Sequence, residues 1–493
     1  MSRNKYRILA GAQEIDITPA MGIQISGDIG RKRSAEYVTD PIYVKALVVS
    51  SGQKSACIIT MDVLAVDKTS CETIRNSIHH DYGIEKAAIM IHALQNHSAP
   101  AVGKVSVSDY FESAGLEKYV PEDCSWLFGE EKVYTAFVIA QTLSAVADAH
   151  GNMQEVFLSH HRAIDGRVAV NRRYVMRDGS VKGEPAHLDP NILFCEGPID
   201  PEIGIVLMQN DKLETIAVIL NYAMHPCAGY NHNYISADWP GSWASMMKQH
   251  LGESCIPIVI NGFCGNLVNM NPLDPDQDRQ AERLRYNKAD DNMPNPRNWG
   301  PDKEVSAKKL TESTMRSLSD YYLVKSKPYS IKTGCIDYIS EIIHIPYRTM
   351  NKDLVEQARN LVDSFSEPDW VDATKTAVKW DWYYALSRLD LVKMVHETKV
   401  FDYEVQVLKI CDIAFVAVAG EPFIEGQLEI KRRCSGKNII AAHMCHHYAG
   451  YLPTERALVG GGYETDMSMG SKLYAGALQD VIDKAVELVN RLF

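Results

Sequence analysis

Six segments of this chain place acidic, amide, imidazole or phenol side chains directly after a run of branched apolar residues. "ACIITMDV" runs into Asp62, and "AAIMIHALQNHSAP" into His92, Gln95, Asn96, His97 and Ser98. "IAVILNYAMHP" reaches His225, "IPIVINGFCGN" reaches Asn261 and Asn266, "IAFVAVAGEPF" reaches Glu421, and "NIIAAHMCHHYAG" reaches His447 and Tyr448. Imidazole and carboxylate are the groups that move protons near neutral pH and hold metal ions. His92 and His97 flank Gln95 and suggest a metal, but their spacing does not match a simple ligand pair.

The runs before these residues are almost continuously apolar, which suits strands buried on both faces by helices. "EKVYTAFVIAQTLSAVADAH", "GSWASMMKQHL" and "AGALQDVIDKAVELVNRLF" have the spacing of amphipathic helices. The pattern therefore predicts an α/β fold, a mixed β-sheet flanked by helices, with a site where several strand ends meet. Residues 275–330 are charged and rich in Pro and Asn, which predicts a long surface excursion with a helical piece. Residues 351–400 carry Trp370, Trp380 and Trp382 on helical spacing and predict a cap, after which the chain returns to the sheet. We expect one α/β catalytic domain over 1–493, with 275–400 as an insertion and cap.

The bulk numbers exclude more than they select. The chain has 493 residues, a net charge of −12 and no block of Lys or Arg, which argues against nucleic acid as a partner. No window has the ~18 apolar residues of a membrane helix, and the N-terminus lacks a signal-like core. Eleven cysteines are scattered without close pairs. The expectation is a reduced, cytoplasmic protein that takes a small molecule, without membrane or nucleic acid, with a homo-oligomer left open.

Taken in order, "DITP", "NHSAP", "NRR", "NYAMHP…ISADWPG", "GFCGN…NP", "GEPF" and "YAGYLPT…GGYE" resemble the neutral/alkaline non-lysosomal ceramidase family over about 450 residues. With one helix following "GGYETD", the expected likeness is to the shorter bacterial members that lack the C-terminal β-sandwich. The resemblance implies a zinc-dependent amidase whose metal is held by two His, one Glu and one Tyr. Three of these ligands fall on His225, Glu421 and Tyr448. The fourth falls on Gln95, since the family's His-x-His is here "QNH".

A Gln carbonyl is a weak neutral donor beside the nitrogen, sulfur and anionic oxygen that zinc favours. The options are a weakened Zn(2+) site, another divalent metal, recruitment of His97 or His92, or no metal. The family's serine falls on Val268 or Asn269, so no hydroxyl nucleophile is carried over. Ser98 reads instead as a turn or cap hydroxyl.

The resemblance further implies His97 as a general acid/base, Arg172 at the developing oxyanion, and Tyr448 and Tyr463 near the reacting atoms. Asn96, Arg173, Asn266, Asp238 and Glu464 are the expected substrate contacts. Asp238 either orients His225 or caps the helix that follows. The three glycines before Tyr463 suggest close backbone approach to a ligand.

The function expected is metal-assisted hydrolysis of a small polar substrate, amide or sugar-like, rather than ceramide. "YNHNYISADWPGSW" and "KWDWYY" supply aromatic and amide walls suited to such a compound. The alternatives are a metal-independent lyase or isomerase acting on a carbohydrate, and a non-catalytic binding relative.

Overall fold

The computed structural model describes residues 6–129, 131–230, 232–274, 303–324 and 333–493. Its framework is three sheets that share one four-stranded plan, the first extended to six strands by Gln154–Glu155 and Thr333–Gly334 beside Tyr6–Asp16. In the first, Tyr6–Asp16, Tyr43–Ser51 and Lys54–Met61 pair antiparallel, and Ile89–Ala93 adds parallel to the third strand. The second repeats this with Phe157–Ile164, Glu202–Gln209, Thr215–Tyr222 and Ile256–Asn261. The third does so with Ile336–Pro346, Val400–Ile410, Ile413–Val418 and Asn438–Ala442. Two-residue turns close two of the antiparallel pairs, at Gly52–Gln53 and Cys411–Asp412. Gly52 and Cys411 both have positive φ, as tight hairpins need.

Each parallel strand requires a crossover. The helices Lys68–Tyr82, Asp238–Leu251 and Ile424–Arg433 supply it. The sequence shows no repeat, yet the topology has one.

The apolar runs follow from the layering. One face of every sheet turns to a shared interior, where Leu47, Ile58, Val206, Ile219, Leu408 and Phe415 are all buried. The outer face of the first sheet is covered by Lys68–Tyr82 and Lys132–Gly151, through Ile74, Ile78, Val138 and Val146. Trp243, Met247, Leu310 and Leu318 cover the second, and Ile430, Val481 and Leu488 the third. The inner strands are thus apolar on both sides. At about 25 cal/mol per Å² of apolar surface, this burial is the main term holding the sheets together.

The fourth strands of the three sheets are joined by one side chain. His92 Nδ1 donates to the His443 carbonyl at 2.7 Å, and Nε2 accepts from the Asn261 N–H at 2.9 Å. Burial lowers the His92 pKa to about 4, so the ring is neutral and both nitrogens are engaged. This corrects the reading of His92 as a spare metal ligand.

The cap is smaller than 275–400. Helix Lys303–Val324 covers the second sheet, and Ile336–Pro346 pairs along its length with Val400–Ile410. That strand escaped the sequence reading because it is an edge strand with polar and half-exposed positions. Helices Lys352–Asp363 and Trp380–Thr398 form the cap proper, sharing a separate core with Phe111, Leu116 and Leu127 of the segment after "NHSAP". Trp382 is buried in that core, whereas Trp380 is 44% exposed. Residues 275–302 of the expected excursion lie outside the described residues. Among the described residues, no helix is long and apolar enough to cross a membrane.

Candidate active site

The segments that leave the third and fourth strands of the three sheets converge on one cavity. The first sheet contributes Gln95 and His97, the second His225, and the third Glu421 and Tyr448. His225 Nδ1 faces the carbonyls of Cys264 and Leu267 at 2.7 and 3.0 Å, which fixes the proton on Nδ1 and leaves the Nε2 lone pair bare. Nε2 sits 3.5 Å from Glu421 Oε2, and both atoms are buried without a hydrogen-bond partner among the described residues. The other carboxylate oxygen, Oε1, accepts from the Tyr448 hydroxyl at 2.9 Å. Burial works against the Glu421 charge, but His225, Arg172 and Gln95 outweigh it and hold the carboxyl below its usual range. Burial, with Glu421 adjacent, pushes the Tyr448 phenol well above its ordinary value.

Gln95 occupies the left-handed region at φ 62° and is buried. The Cys264 thiol approaches its Oε1 at 3.8 Å. The donor set that faces the cavity is therefore one imidazole nitrogen, one carboxylate oxygen, one phenol and one amide. No group of three His, Cys, Asp or Glu with metal-holding geometry occurs among the described residues.

His97 stands 5.6 Å from the His225 ring, centroid to centroid. Its Nε2 is buried without a partner among the described residues, and Nδ1 rests against Gly27, where an added Cβ would lie only 2.5 Å away. Burial first, then His225, Arg33 and Arg172, lower its pKa well below the free value, so the ring is neutral. Arg172 extends between two tyrosines, its guanidinium carbon 5.1 Å from the Tyr463 ring and 5.8 Å from the Tyr451 ring. Its Nε donates to Glu464 at 3.0 Å and one Nη to the Gly265 carbonyl at 2.5 Å. Burial opposes its charge, but Tyr463, Tyr451, Glu464 and Glu184 more than restore it.

Several expected contacts are instead part of the scaffold. Asn96 is fully buried, donating to the Asp62 and Ser236 carbonyls and accepting from the Ser98 N–H. Asn266 donates to Glu425 and accepts from the Ile424 N–H. Arg173 is buried against Glu196, Glu464 and the Gly461 carbonyl, and Glu464 bridges both arginines. Asp238 does not orient His225, which the two carbonyls hold. It starts the helix Asp238–Leu251, its carboxylate accepting from the Trp239 N–H. These residues build the cavity wall from behind, because a buried polar group has to be paired.

Other lining residues were not assigned from the sequence. Tyr451, Tyr384, Tyr230 and Glu184 all face the cavity. Tyr451 could have been found, since it lies three residues after Tyr448 in "YAGYLPT". Tyr384 comes from the cap, Tyr230 from the loop after His225, and Glu184 from the turn beyond Val181–Gly183, with φ 47°. Nothing local marks Glu184.

No family model matches the sequence, and no curated protein matches it. Solved structures do. The neutral ceramidase from Pseudomonas aeruginosa superposes with a TM-score of 0.68 at 12% identity, covering 99% of this chain and 75% of that one. A ceramidase complexed with C2 superposes with a TM-score of 0.65 at 13% identity, covering 99% and 76%. The chain has a ceramidase-like α/β fold.

Proposed function

We propose that this protein is a hydrolase that cleaves an amide bond in a small polar substrate, with a divalent metal bound at His225, Glu421 and Tyr448. The observation that carries the reading is the buried, unpartnered pair of His225 Nε2 and Glu421 Oε2, 3.5 Å apart. An unpaired buried nitrogen and carboxylate oxygen are costly to maintain, and a cation between them satisfies both. The donor types fit zinc or a similar ion, with Gln95 as the weak fourth donor. When bound, such an ion polarises the scissile carbonyl.

The chain's own residues supply the rest. Tyr448 donates to Glu421 and keeps that carboxylate aimed. Arg172, held between Tyr451 and Tyr463, offers a fixed cation where negative charge develops on the carbonyl oxygen. His97, neutral and with a bare nitrogen, takes a proton from water as its oxygen attacks the acyl carbon. It returns the proton to nitrogen as the C–N bond breaks, giving a carboxylic acid and an amine that then exchange a proton to carboxylate and ammonium. The fold likeness to ceramidases supports hydrolysis as the class of reaction.

One observation favours a second reading. Gln95 is neutral, so His97, Tyr448 and Arg172 without a metal suit elimination or isomerisation of a sugar-like substrate. Product mass separates the two, because hydrolysis adds one water and elimination adds none. Metal content by plasma mass spectrometry, on protein purified without chelator and on His225→Ala, tests the site. Near-stoichiometric zinc or manganese that is lost in the variant supports the metal reading. Absence from both proteins overturns it.

A further inference from the structure

The cavity has two chambers of about 120 and 170 Å³ that meet at His97. Gly27, Ile29, His97, Tyr384, Tyr451 and Tyr463 line both and form the waist. Beyond the waist the chambers differ in chemistry. The first holds Gln95, Glu421 and Tyr448, with Asp28 also on its wall, and beyond them is walled by Leu64, Val105, Leu127, Met444 and Met469, with Trp126 at one side. The second is walled by Arg172, Glu184, Tyr230, His232, Asn269 and Trp380. Both are below the ~300–1,000 Å³ of pockets for drug-sized ligands, so each accepts a small group only.

Glu184 is the unusual member of the second chamber. It is a non-glycine residue at φ 47°, held there by its own N–H donating to the Arg172 carbonyl at 2.7 Å. Its side chain is 29% exposed, and the closest cation is Arg172 Nη1 at 3.8 Å, beyond hydrogen-bond reach. Among the described residues its carboxylate accepts no hydrogen bond. The Arg172 charge is already met by Glu464, which is fully buried behind it. The second chamber thus presents, among aromatic faces, a carboxylate that is only loosely paired with Arg172 and accepts no hydrogen bond among the described residues. That repels an anionic ligand and attracts hydroxyls or an ammonium, while the rings pack on the apolar face of a sugar-like ring. A strained backbone that aims a side chain into a cavity is a mark of ligand contact.

We infer that the substrate is divided at the waist, with a short acyl arm in the apolar chamber and a hydroxylated amine arm in the polar one, and that Glu184 recognises the amine arm. This rests on the amide-hydrolase reading and adds the substrate class, a short-chain N-acyl amino sugar or a close analogue. Glu184 acts on specificity. Cleavage leaves the acyl arm as a carboxylate in the first chamber and the amine arm as an amine or ammonium facing Glu184.

Binding can be tested apart from turnover. Glucosamine, cyclohexylamine and butyrate are titrated calorimetrically into the full-length protein and into Glu184→Gln and Glu184→Asp. Glucosamine is expected to bind the wild type, to weaken about tenfold or more in Glu184→Gln, and to recover partly in Glu184→Asp, whose shorter chain keeps the charge and tolerates positive φ. Saturating butyrate is expected to leave glucosamine binding intact. Cyclohexylamine binding as tightly as glucosamine, unchanged affinity in both variants, no detectable glucosamine binding, or competition by butyrate each overturns the assignment. Incubation with N-butyryl-glucosamine is read separately by mass. Uncleaved compound with the binding pattern intact counts against hydrolysis and leaves the recognition by Glu184 standing.

Discussion

Gln95→His places an imidazole at the position to which the family resemblance assigns a metal ligand. Gln95 is buried, faces the same chamber as Glu421 and Tyr448, and holds φ 62°. Histidine is among the non-glycine residues enriched at positive φ, so the exchange adds little backbone strain. It forfeits the 3.8 Å approach of the Cys264 thiol and the electrostatic support Gln95 gives the Glu421 carboxylate, both minor beside a metal bond. A four-ligand zinc site is worth roughly 10–16 kcal/mol, or about 3 kcal/mol per donor. At about 1.4 kcal/mol per tenfold, replacing a weak amide by imidazole raises zinc affinity by roughly a hundredfold. Competition against a chromophoric chelator at fixed pH measures this for wild type, Gln95→His and the double variant with His225→Ala. The expected order is Gln95→His tightest and the double variant weakest. Equal zinc affinity in wild type and Gln95→His would refute the idea that position 95 shares a coordination sphere with His225 and Glu421.

Two further perturbations follow from single contacts. Gly27→Ala places a Cβ 2.5 Å from His97 Nδ1 on a backbone at φ 94°. It should cost roughly 1–2 kcal/mol in stability. By displacing the imidazole it should also lower turnover by about tenfold or more. A thermal melt and steady-state kinetics check the two parts, and unchanged turnover would show that the His97 position is not critical. Asp238 is buried, and burial raises its pKa to about 6, with Lys303 and the Trp239 N–H opposing and Asp40 adding to the rise. A folded-state pKa above the unfolded value means stability is full below about pH 4 and falls as pH rises towards 6. At about 1.4 kcal/mol per pH unit the loss above pH 6 is up to roughly 3 kcal/mol. Asp238→Asn should therefore gain on the wild type as pH increases from 4 to 6, with a constant margin beyond. A margin that shrinks over that range in pH-dependent denaturation would contradict the burial argument.

The side chains that line the cavity at the strand ends were legible because of where they sit in the sequence. An apolar run that stops abruptly at His225, Glu421 or Tyr448 marks a strand end, and a strand needs its polar groups beyond the sheet. Which of the neighbouring polar residues face the cavity was not legible. Asn96, Asn266, Arg173 and Glu464 have the same residue types and positions as ligand contacts, but all are consumed by buried hydrogen bonds. Their targets lie up to 292 residues away, as for Glu464 and Arg172, and no local pattern encodes such a pairing.

By itself the sequence determined the class of fold and the strand ends at which polar residues gather. Local periodicity and composition are enough for these, since they depend on neighbours along the chain. Only the tertiary structure decided that three sheets share one plan and one interior, and that His92 joins them. It also decided that Ile336–Pro346 belongs to a sheet and not to the cap. The two chambers and the aim of Glu184 belong there too, because a cavity is defined by side chains from distant elements meeting across space.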